Sequence, residues 1–495
     1  MMEIRERLDQ ILGYVPMYKL VVMGLTVIAI AAILLMVNGY LSYSPIAFIA
    51  MLFLCVGTAY ASNRLFGWLF GVRPQPESAV ITGLIIALLF SPPETVLAGV
   101  KILLVVAIAM ASKYVLVWRG KHIFNPAAIA IVIASISGLA YASWWIATPA
   151  LLPITIIVAL LILYKTQKLM MAGVFLLAAV AMITLRTIMD GETSLQVLAM
   201  TLTSWPLVFF AGIMLSEPLT LPPQRKQQLA VALLVGVLAT LPIHFASITM
   251  TPALALVIGN LVAFYLGTRR GVSMRLVSKK KQGPDGYEFV FDAPKFQYIP
   301  GQYAEVTVPH SKADFRGIRR VFSLMGVPGT DQVSIGTRFP KKHSSYKNTL
   351  LGLKNGAKVN VVRVAGDFVL PKDSKAPILG IAGGIGITPF VSFAMNAAHR
   401  DMTILYAPSH ADDIAFASEL SQYDVRLVIV SSQEVKLHEG WVHESGRIDD
   451  DLIKKYLQAD TEVYVSGPPT MVTHAATTAR KLGATRVHTD HFSGY

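Results

Sequence analysis

The segment Gly383-Gly384-Ile385-Gly386-Ile387-Thr388-Pro389 has the composition of a phosphate-binding turn. It follows an apolar run and precedes a segment of helical length. Glycines at such a turn let the backbone come close to a pyrophosphate, which then lies at the N-terminus of the helix. Because glycine-rich turns between strands and helices are common, this segment alone is weak evidence for nucleotide binding.

A second segment, Arg320-Val321-Phe322-Ser323, carries side chains that suit a flavin nucleotide. An arginine can pair with a phosphate, an aromatic ring can face the flavin, and a hydroxyl can hydrogen-bond to the flavin ring. Each of these segments could be structural by itself, so their order along the chain carries more weight. The others are, in order, Pro300-Gly301-Gln302-Tyr303, Ser344-Ser345-Tyr346-Lys347, Gly366-Asp367-Phe368, Ser466-Gly467-Pro468-Pro469 and the terminal Asp490-His491-Phe492-Ser493-Gly494-Tyr495.

Together these segments resemble the ferredoxin–NADP reductase superfamily over residues 274–495. The resemblance implies that FAD is the cofactor and that NADH or NADPH is the substrate. It places Arg320 on the FAD phosphates, Phe322 on the isoalloxazine and Ser323 near its reactive nitrogen. The family commonly has tyrosine at the position of Phe322 and often has cysteine at that of Ser466. The remaining site residues that the resemblance implies are Ser344 and Ser345 for FAD; Gly383, Gly384, Gly386 and Thr388 for the nicotinamide nucleotide; Ser466, Gly467 and Pro468 beside the nicotinamide; and Tyr495 near the flavin.

The choice between NADH and NADPH depends on the stretch after the second strand of the nucleotide-binding half. A pocket that reads the 2′-phosphate of NADPH needs a basic residue there. Residues 406–413 contain no arginine or lysine, and they end in Asp412 and Asp413. This composition slightly favours NADH and leaves both nucleotides open.

The alternation of apolar and polar residues predicts how these segments are positioned. Residues 287–291, 304–308 and 333–337 read as short strands of an antiparallel β-barrel that follows a charged linker at 274–281 and ends near residue 371. From residue 376, apolar strands at 377–382, 402–406, 425–430 and 462–465 alternate with segments of helical length. This pattern predicts a parallel sheet of βαβ units. We therefore expect an FAD domain at 274–371 and an α/β NAD(P)-binding domain at 376–495.

The first half of the chain has the composition of a polytopic α-helical membrane domain, expected at 19–268 after a cytoplasmic segment at 1–18. A spanning helix needs about 20 mostly apolar residues. Only Cys55 is a cysteine, which excludes a disulfide, a thiolate zinc site and a four-cysteine iron–sulfur cluster within the chain, and we expect no metal site. About ten candidate spans lie near 19–37, 45–62, 78–91, 95–113, 124–141, 147–164, 169–186, 197–215, 227–245 and 251–267.

Basic residues in the connecting loops predict the orientation in the lipid bilayer. With ten spans, fourteen lysines and arginines before residue 271 fall on one side, and Lys101 and Arg186 fall on the other. We therefore expect a multi-pass protein of a bacterial cytoplasmic (inner) membrane with both termini in the cytoplasm. The same residues explain much of the net charge of +13, so no nucleic-acid partner is needed.

Three polar loops interrupt the apolar half. Residues 190–194 fall on the outside and fit a turn followed by a helix cap. Residues 121–128, with Asn125, and 216–223, with Glu217, fall on the inside. Prolines beside polar residues at a membrane boundary often mark broken helices that line a ligand site, although simple helix termination is the alternative.

These loops, with Ser78-Ala79-Val80-Ile81-Thr82-Gly83-Leu84, resemble the B subunit of the Na⁺-translocating NADH:quinone reductase and the D subunit of the Rnf complex. The resemblance implies that a flavin transferase attaches FMN to Thr193 through a phosphoester bond. It also implies a second, non-covalent flavin near the cytoplasmic face, with Asn125 and Glu217 as candidates to flank it. Proline-rich boundaries ending at Pro93 and Pro223 lie five spans apart, which predicts an inverted repeat.

The two halves together predict an NAD(P)H dehydrogenase that carries electrons across the membrane. Electrons would pass from NAD(P)H to FAD, to a flavin near the inner face, and to FMN on Thr193 outside. The sequence does not identify the final electron acceptor, which would be a quinone or an extracytoplasmic electron acceptor. A redox-driven Na⁺ or H⁺ pump and a transporter with a nucleotide sensor remain alternatives. A transmembrane haem-type (ferric) reductase is a weaker one, because stacked haems need about four histidines and the first half has only His122 and His244.

Overall fold

The computed structural model describes residues 15–495 except 72–73, 119–120, 192–194, 242, 246–247, 268–271, 311–313, 315–316, 342, 371–374, 398–399, 410–413, 436 and 493–495. The chain divides into two units, residues 15–270 and residues 271–495. Each is described below by itself.

The first unit, here called the helical unit, is built from apolar helices. Half of the ten helices given below begin with a proline in the first turn, where the missing N–H costs nothing. Their bounds are α1 Met17–Val37, α2 Pro45–Leu69, α3 Pro76–Leu89, α4 Val96–Val115, α5 Pro126–Ile136, α6 Leu152–Lys165, α7 Leu169–Met189, α8 Leu195–Ser204, α9 Arg225–Thr240 and α10 Pro252–Leu266.

Among the described residues, four helices are long and apolar enough to cross a membrane: α1, α2, α4 and α7. The other helices lie where spans are expected but are shorter. Helix α5 has 11 residues, which at 1.5 Å per residue is about 17 Å and falls short of the ~30 Å hydrocarbon core. The ten-span topology therefore stays a prediction, and several of its helices end well inside their apolar stretches.

Two irregular segments replace helix where the apolar sequence continues. The carbonyl of Phe90, just after α3, accepts a hydrogen bond of 2.8 Å from the indole Nε1 of Trp145, and the carbonyl of Leu89 accepts one of 2.9 Å from the backbone N–H of Trp144. The expected span 197–215 is broken after α8 and continues as a single helical turn and a π-helix, Phe210–Met214. Protein groups thus satisfy backbone that lipid would leave unpaired.

The packing of the helices recurs after an interval of five. Helix α2 packs on α4 as α7 packs on α9, and α4 packs on α5 as α9 packs on α10. The two members that begin each set, α1 and α6, contact each other, and so do the two that end them, α5 and α10. This recurrence agrees with two sets of five helices, and their inverted relation stays a prediction.

The second unit begins with a closed six-stranded antiparallel barrel, as the sequence predicts. Its strands follow the order β6-β1-β2-β5-β4-β3 around the barrel, and helix α11, Ser345–Gly352, precedes the last strand. The strands are β1 Val272–Gln282, β2 Gly286–Asp292, β3 Tyr303–Thr307, β4 Arg319–Met325, β5 Gln332–Arg338 and β6 Lys358–Ala365.

One prediction for this region is wrong: residues 274–281 are not a linker but most of strand β1. Met274 and Leu276 are buried in the barrel core, while the charged side chains of the strand lie on its outer face. The strand pairs with β2 on one side and β6 on the other. The lysines of β1 hide the alternation of buried and exposed positions in the sequence. The alternation becomes evident only from the pairing of β1 with its two neighbouring strands.

A six-stranded parallel sheet follows, again as predicted, in the order β10-β9-β8-β7-β11-β12. Its strands are apolar on both faces because helices cover them. The strands are β7 Ile378–Gly383, β8 Met402–Ala407, β9 Arg426–Ser431, β10 Val442–Ser445, β11 Glu462–Gly467 and β12 Val487–His491. The helices are α12 Thr388–Asn396, α13 Ala417–Leu420, α14 Asp450–Tyr456 and α15 Pro469–Lys481.

The close contact between α2 and α3 generates a stability prediction. A Cβ on Gly83 would lie 2.9 Å from the carbonyl oxygen of Cys55, whereas nothing lies within 4 Å of one on Gly57. We expect Gly83→Ala to destabilise the protein by about 1–3 kcal/mol through overpacking and Gly57→Ala to have little effect. Thermal unfolding of both variants in detergent, followed by size-exclusion chromatography, measures the difference. Equal midpoints would contradict the packing described here.

Candidate functional site

The arginine, the aromatic ring and the hydroxyl of the flavin motif lie on strand β4. Arg320 and Phe322 face inward and are 4% and 6% exposed. The Arg320 guanidinium lies 5.0 Å over the ring of Tyr346, and the rings of Phe322 and Tyr346 stack at 6.0 Å. Burial raises the pKa of the Tyr346 phenol, whose hydroxyl donates to the carbonyl of Val306 at 3.1 Å. Because Phe322 lies in the barrel core, its contact with an isoalloxazine stays a prediction.

A carboxylate already occupies an anion position beside Arg320. Asp314 Oδ1 lies 3.7 Å from Arg320 NH2, and Asp314 Oδ2 accepts the backbone N–H of Ser345 at 2.8 Å. Ser344 is the N-cap of α11, so this oxygen sits at the positive end of the helix. Guanidinium, helix N-terminus and serine hydroxyls form a donor set suited to a pyrophosphate, with the carboxylate standing in for a phosphate oxygen.

Three of the motifs meet at one end of the barrel. Ser323, buried on β4, pairs in register with Tyr303 on β3. Gly301 has φ +91°, and a Cβ there would lie 2.0 Å from the carbonyl oxygen of Phe368. A Cβ on Gly366 would lie 3.2 Å from the ring of Tyr303. Segments that are far apart in the sequence thus lie together near Ser323, and its contact with a flavin stays a prediction.

The glycine-rich turn follows strand β7 and leads through a short 3-10 helix, Gly384–Ile387, into α12. A Cβ on Gly386 would lie 2.4 Å from the carbonyl oxygen of Ser466, and one on Gly383 would lie 2.6 Å from Met471 Sδ. Thr388 is buried, and its hydroxyl donates to the carbonyl of Ile385 at 3.0 Å. The glycines therefore bring the turn against the neighbouring strand β11 and its Ser466-Gly467-Pro468 end.

The hydroxyl of Ser466 is a candidate contact for a ligand beside the glycine turn. Ser466 is fully buried, and its Oγ has no hydrogen-bond partner among the residues that the structure describes. A buried hydroxyl without a partner costs about 1–3 kcal/mol, so it marks a position that a polar ligand would satisfy. Phe492 follows β12, and its N–H donates to the Gly467 carbonyl at 2.8 Å; Tyr495 lies outside the described residues.

A carboxyl lies beside this position. Asp490 on β12 is in register with Ser466 on β11, and burial raises the pKa of its carboxyl to about 6. Near neutral pH, small changes in acidity therefore alter the charge next to Ser466. The sequence offered no signal for this, because only the pairing of β11 with β12 brings the two residues together.

In the helical unit, the structure brings together the two inner loops singled out in the sequence. The side chain of Asn125 caps α5, and its Nδ2 donates to Glu217 Oε2 at 2.8 Å. Asn260 Oδ1 accepts the backbone N–H of Asn125 at 2.8 Å, and His122 Nε2 lies 3.4 Å from Glu217 Oε1. Asn125 and Glu217 line the same open cavity between helices.

Sequence reasoning missed one contributor to this cavity. Lys113 was counted only as a loop charge, but its Nζ donates to the Ser78 carbonyl at 2.9 Å, to the Ser78 hydroxyl at 2.8 Å and to the Thr82 hydroxyl at 3.0 Å. Ser78 and Thr82 line the cavity. A cation thus lies behind the cavity wall formed by α3. Thr193, the expected attachment site of FMN, lies outside the described residues, as do Asp412 and Asp413.

The tight turn at Gly386 generates a binding prediction. Gly386→Ala forces the turn away from β11, because the nearest atoms are backbone, and we expect NAD⁺ and NADP⁺ to bind roughly 10-fold more weakly or worse. Gly352→Ala is the matched control, since nothing lies within 4 Å of its Cβ. Isothermal titration calorimetry on the FAD-loaded protein measures both. Unchanged binding in Gly386→Ala would contradict this location for the nucleotide.

Comparisons with known proteins agree with this geometry. Residues 381–477 match the family described as "Oxidoreductase NAD-binding domain". Flavohemoprotein A of Dictyostelium discoideum is 30% identical over 192 residues, which cover 35% of this chain and 47% of that protein. The flavohemoprotein of Bacillus subtilis is 26% identical over 203 residues, with coverage of 39% and 49%.

The FAD/NAD-binding domain of nitric oxide dioxygenase from Vibrio cholerae aligns with a TM-score of 0.38 at 19% identity, over 45% of this chain and 98% of that one. The chain spans about half the length of the curated relatives described above. These two alignments cover 35% and 39% of the chain, and the family match at 381–477 lies within the parallel sheet and its helices. The C-terminal part of the chain is therefore a ferredoxin-reductase-like FAD/NAD-binding domain.

Proposed function

We propose that this protein is a flavin-dependent NAD(P)H oxidoreductase that passes electrons from a nicotinamide nucleotide through FAD into its helical unit. The observation that carries the proposal is the buried Ser466 hydroxyl without a partner, next to a glycine turn within the matched NAD-binding segment. FAD, when bound, would accept two electrons as a hydride and release them one at a time.

In this proposal, the residues of the C-terminal domain bind and orient FAD and the nicotinamide nucleotide. Arg320, with the helix N-terminus at Ser344 and Ser345, would hold the FAD pyrophosphate. Ser323 would donate a hydrogen bond to the flavin ring. The backbone from Gly383 to Thr388 would hold the pyrophosphate of the nucleotide, and Ser466 to Pro468 would place the nicotinamide. The apolar walls around Ser466 would exclude water from the hydride that is transferred.

The helical unit would be embedded in the cytoplasmic membrane. Four of its described helices have the length and composition for this, and its loop charges favour cytoplasmic termini. We propose that a non-covalent flavin occupies the cavity at Asn125 and Glu217, and that FMN is attached to Thr193 on the opposite side. The electrons would leave to a quinone or to an extracytoplasmic acceptor.

A second candidate function is a redox-driven Na⁺ or H⁺ pump. Glu217 favours it, because its carboxylate lines a cavity between helices, accepts from Asn125 and lies 3.4 Å from the His122 ring nitrogen. Intramembrane acids often mark ion paths. Sodium uptake or acidification in inverted vesicles on addition of NADH or NADPH would support this function, and electron transfer without either would exclude it.

Loss of the buried arginine tests the FAD site. We expect Arg320→Gln to lower the FAD released on denaturation at least several-fold, since a charge-assisted contact is worth about 1.5–3 kcal/mol. Lys280→Gln removes an exposed charge from the same barrel and should keep its FAD. The wild type should lose its flavin absorbance within seconds of adding NADH or NADPH anaerobically. Failure of both nucleotides to bleach the FAD-loaded wild type would refute the oxidoreductase.

Covalent FMN is tested by denaturing electrophoresis with in-gel fluorescence. Wild type co-expressed with a flavin transferase should give a fluorescent band, and Thr193→Ala should give none. Thr203→Ala, an exposed helical threonine ten residues further along the chain, should fluoresce like the wild type. A dark wild-type band under these conditions would remove the covalent flavin from the scheme.

A further inference from the structure

Arg338, the last residue of barrel strand β5, is held in one orientation. The carboxylate of Asp285 accepts its Nε at 2.9 Å and its NH2 at 3.0 Å. This bidentate pair fixes the plane of the guanidinium. The remaining nitrogen, NH1, donates to the hydroxyl of Ser409. The barrel thus presents one oriented donor to the nucleotide-binding sheet.

Ser409 lies two residues beyond the end of strand β8. Strand β8 is the parallel neighbour of β7, whose end forms the glycine turn. A Cβ on Gly384 would lie 2.9 Å from Ser409 Oγ and 3.9 Å from Arg338 NH1. The Arg338 guanidinium, the Ser409 hydroxyl and the glycine turn therefore lie around one point at the carboxyl edge of the sheet.

The order of the strands says which part of a nucleotide reaches this point. A nicotinamide beside Ser466 lies at the end of β11, and the pyrophosphate lies at the glycine turn after β7. The adenosine ribose then lies beyond β8, because in this class of sheet the residues after the second strand contact the ribose 2′ position. A carboxylate there accepts the 2′-hydroxyl of NADH, whereas an arginine there accommodates the 2′-phosphate of NADPH.

Local charge favours the phosphate. The Nζ of Lys347 donates to the Arg338 carbonyl at 2.7 Å, so a second cation lies at the backbone of Arg338. The Asp285 carboxylate neutralises one of the positive charges of Arg338 and Lys347. It binds Nε and NH2 of Arg338, whereas Ser409 is bound by NH1. An oriented guanidinium N–H beside a hydroxyl is a donor pair suited to a phosphate oxygen.

We propose that Arg338 and Ser409 bind the 2′-phosphate of NADPH, so that the protein prefers NADPH over NADH. This inference rests on the nucleotide site of the proposed function. Asp285 is the positioning residue, since it orients Arg338 without reaching the nucleotide. The sequence leaned towards NADH because no basic residue follows β8, but Arg338 lies 71 positions before Ser409.

Equilibrium binding of the oxidised nucleotides tests the proposal without electron transfer. In the full-length, FAD-loaded protein in detergent, isothermal titration calorimetry should give a Kd for NADP⁺ roughly 10- to 100-fold below that for NAD⁺, as expected for charge-assisted contacts. Arg338→Gln should bring the two values together by weakening NADP⁺ alone. The ratio in wild type should also shrink with added salt.

Two further variants keep the test decisive if Arg338→Gln is poorly folded. Arg338→Lys should retain part of the preference, because the charge stays and the bidentate pair with Asp285 that orients it is lost. Ser409→Ala should weaken NADP⁺ several-fold and leave NAD⁺ unchanged. Lys280→Gln, which removes an exposed barrel charge, should keep the wild-type ratio.

Three results would overturn the inference. Equal weakening of NADP⁺ and NAD⁺ in Arg338→Gln would show that the guanidinium binds the shared pyrophosphate. A wild-type preference for NAD⁺, or no preference, would show that no 2′-phosphate site exists. If neither nucleotide binds to wild type, the proposed function itself fails, and the inference fails with it.

Discussion

A buried guanidinium constrains the whole flavin end of the barrel. Arg320 is almost fully enclosed, and an unpaired charge in such a place costs several kcal/mol. Backbone carbonyls of Gly317 and Arg319 accept from its NH1, and the Asp314 carboxylate lies near its NH2. The same carboxylate then ties the start of α11 to the barrel. One charge therefore determines where a helix, a loop and an aromatic ring must lie.

In the helical unit, the ends of broken helices likewise need hydrogen-bond partners, and polar side chains and backbone groups supply them. Its helices stop inside apolar stretches, where a backbone group without a hydrogen-bond partner is costly. Trp145 and Trp144 satisfy the end of α3, while Asn260 and Glu217 satisfy Asn125 at the start of α5. Two of these residues, Asn125 and Glu217, also line the cavity. The same side chains therefore cap a broken helix and face the cavity.

The sequence predicted the barrel and the parallel sheet because alternation and glycine turns are local signals. Strand β1 escaped detection since lysines on its outer face conceal the apolar positions at Met274 and Leu276. The sequence overestimated the helix lengths because hydropathy gives no sign of a helix end that is stabilised by a distant residue. The indole of Trp145, which donates to the Phe90 carbonyl after α3, is such a residue. Lys113 and Arg338 were missed as site residues for one reason: their partners lie 35 and 71 residues away, and only the tertiary fold brings them together.

The Asp314 carboxylate has a consequence for the maturation of the protein. Since its oxygens lie beside Arg320 and accept at the N-terminus of α11, both positive groups have an anion beside them when no cofactor is bound. Loading FAD would then exchange an internal anion for an external one, and the net affinity would be the difference between the two interactions. FAD would therefore bind less tightly here than at a site whose donors have no internal anion.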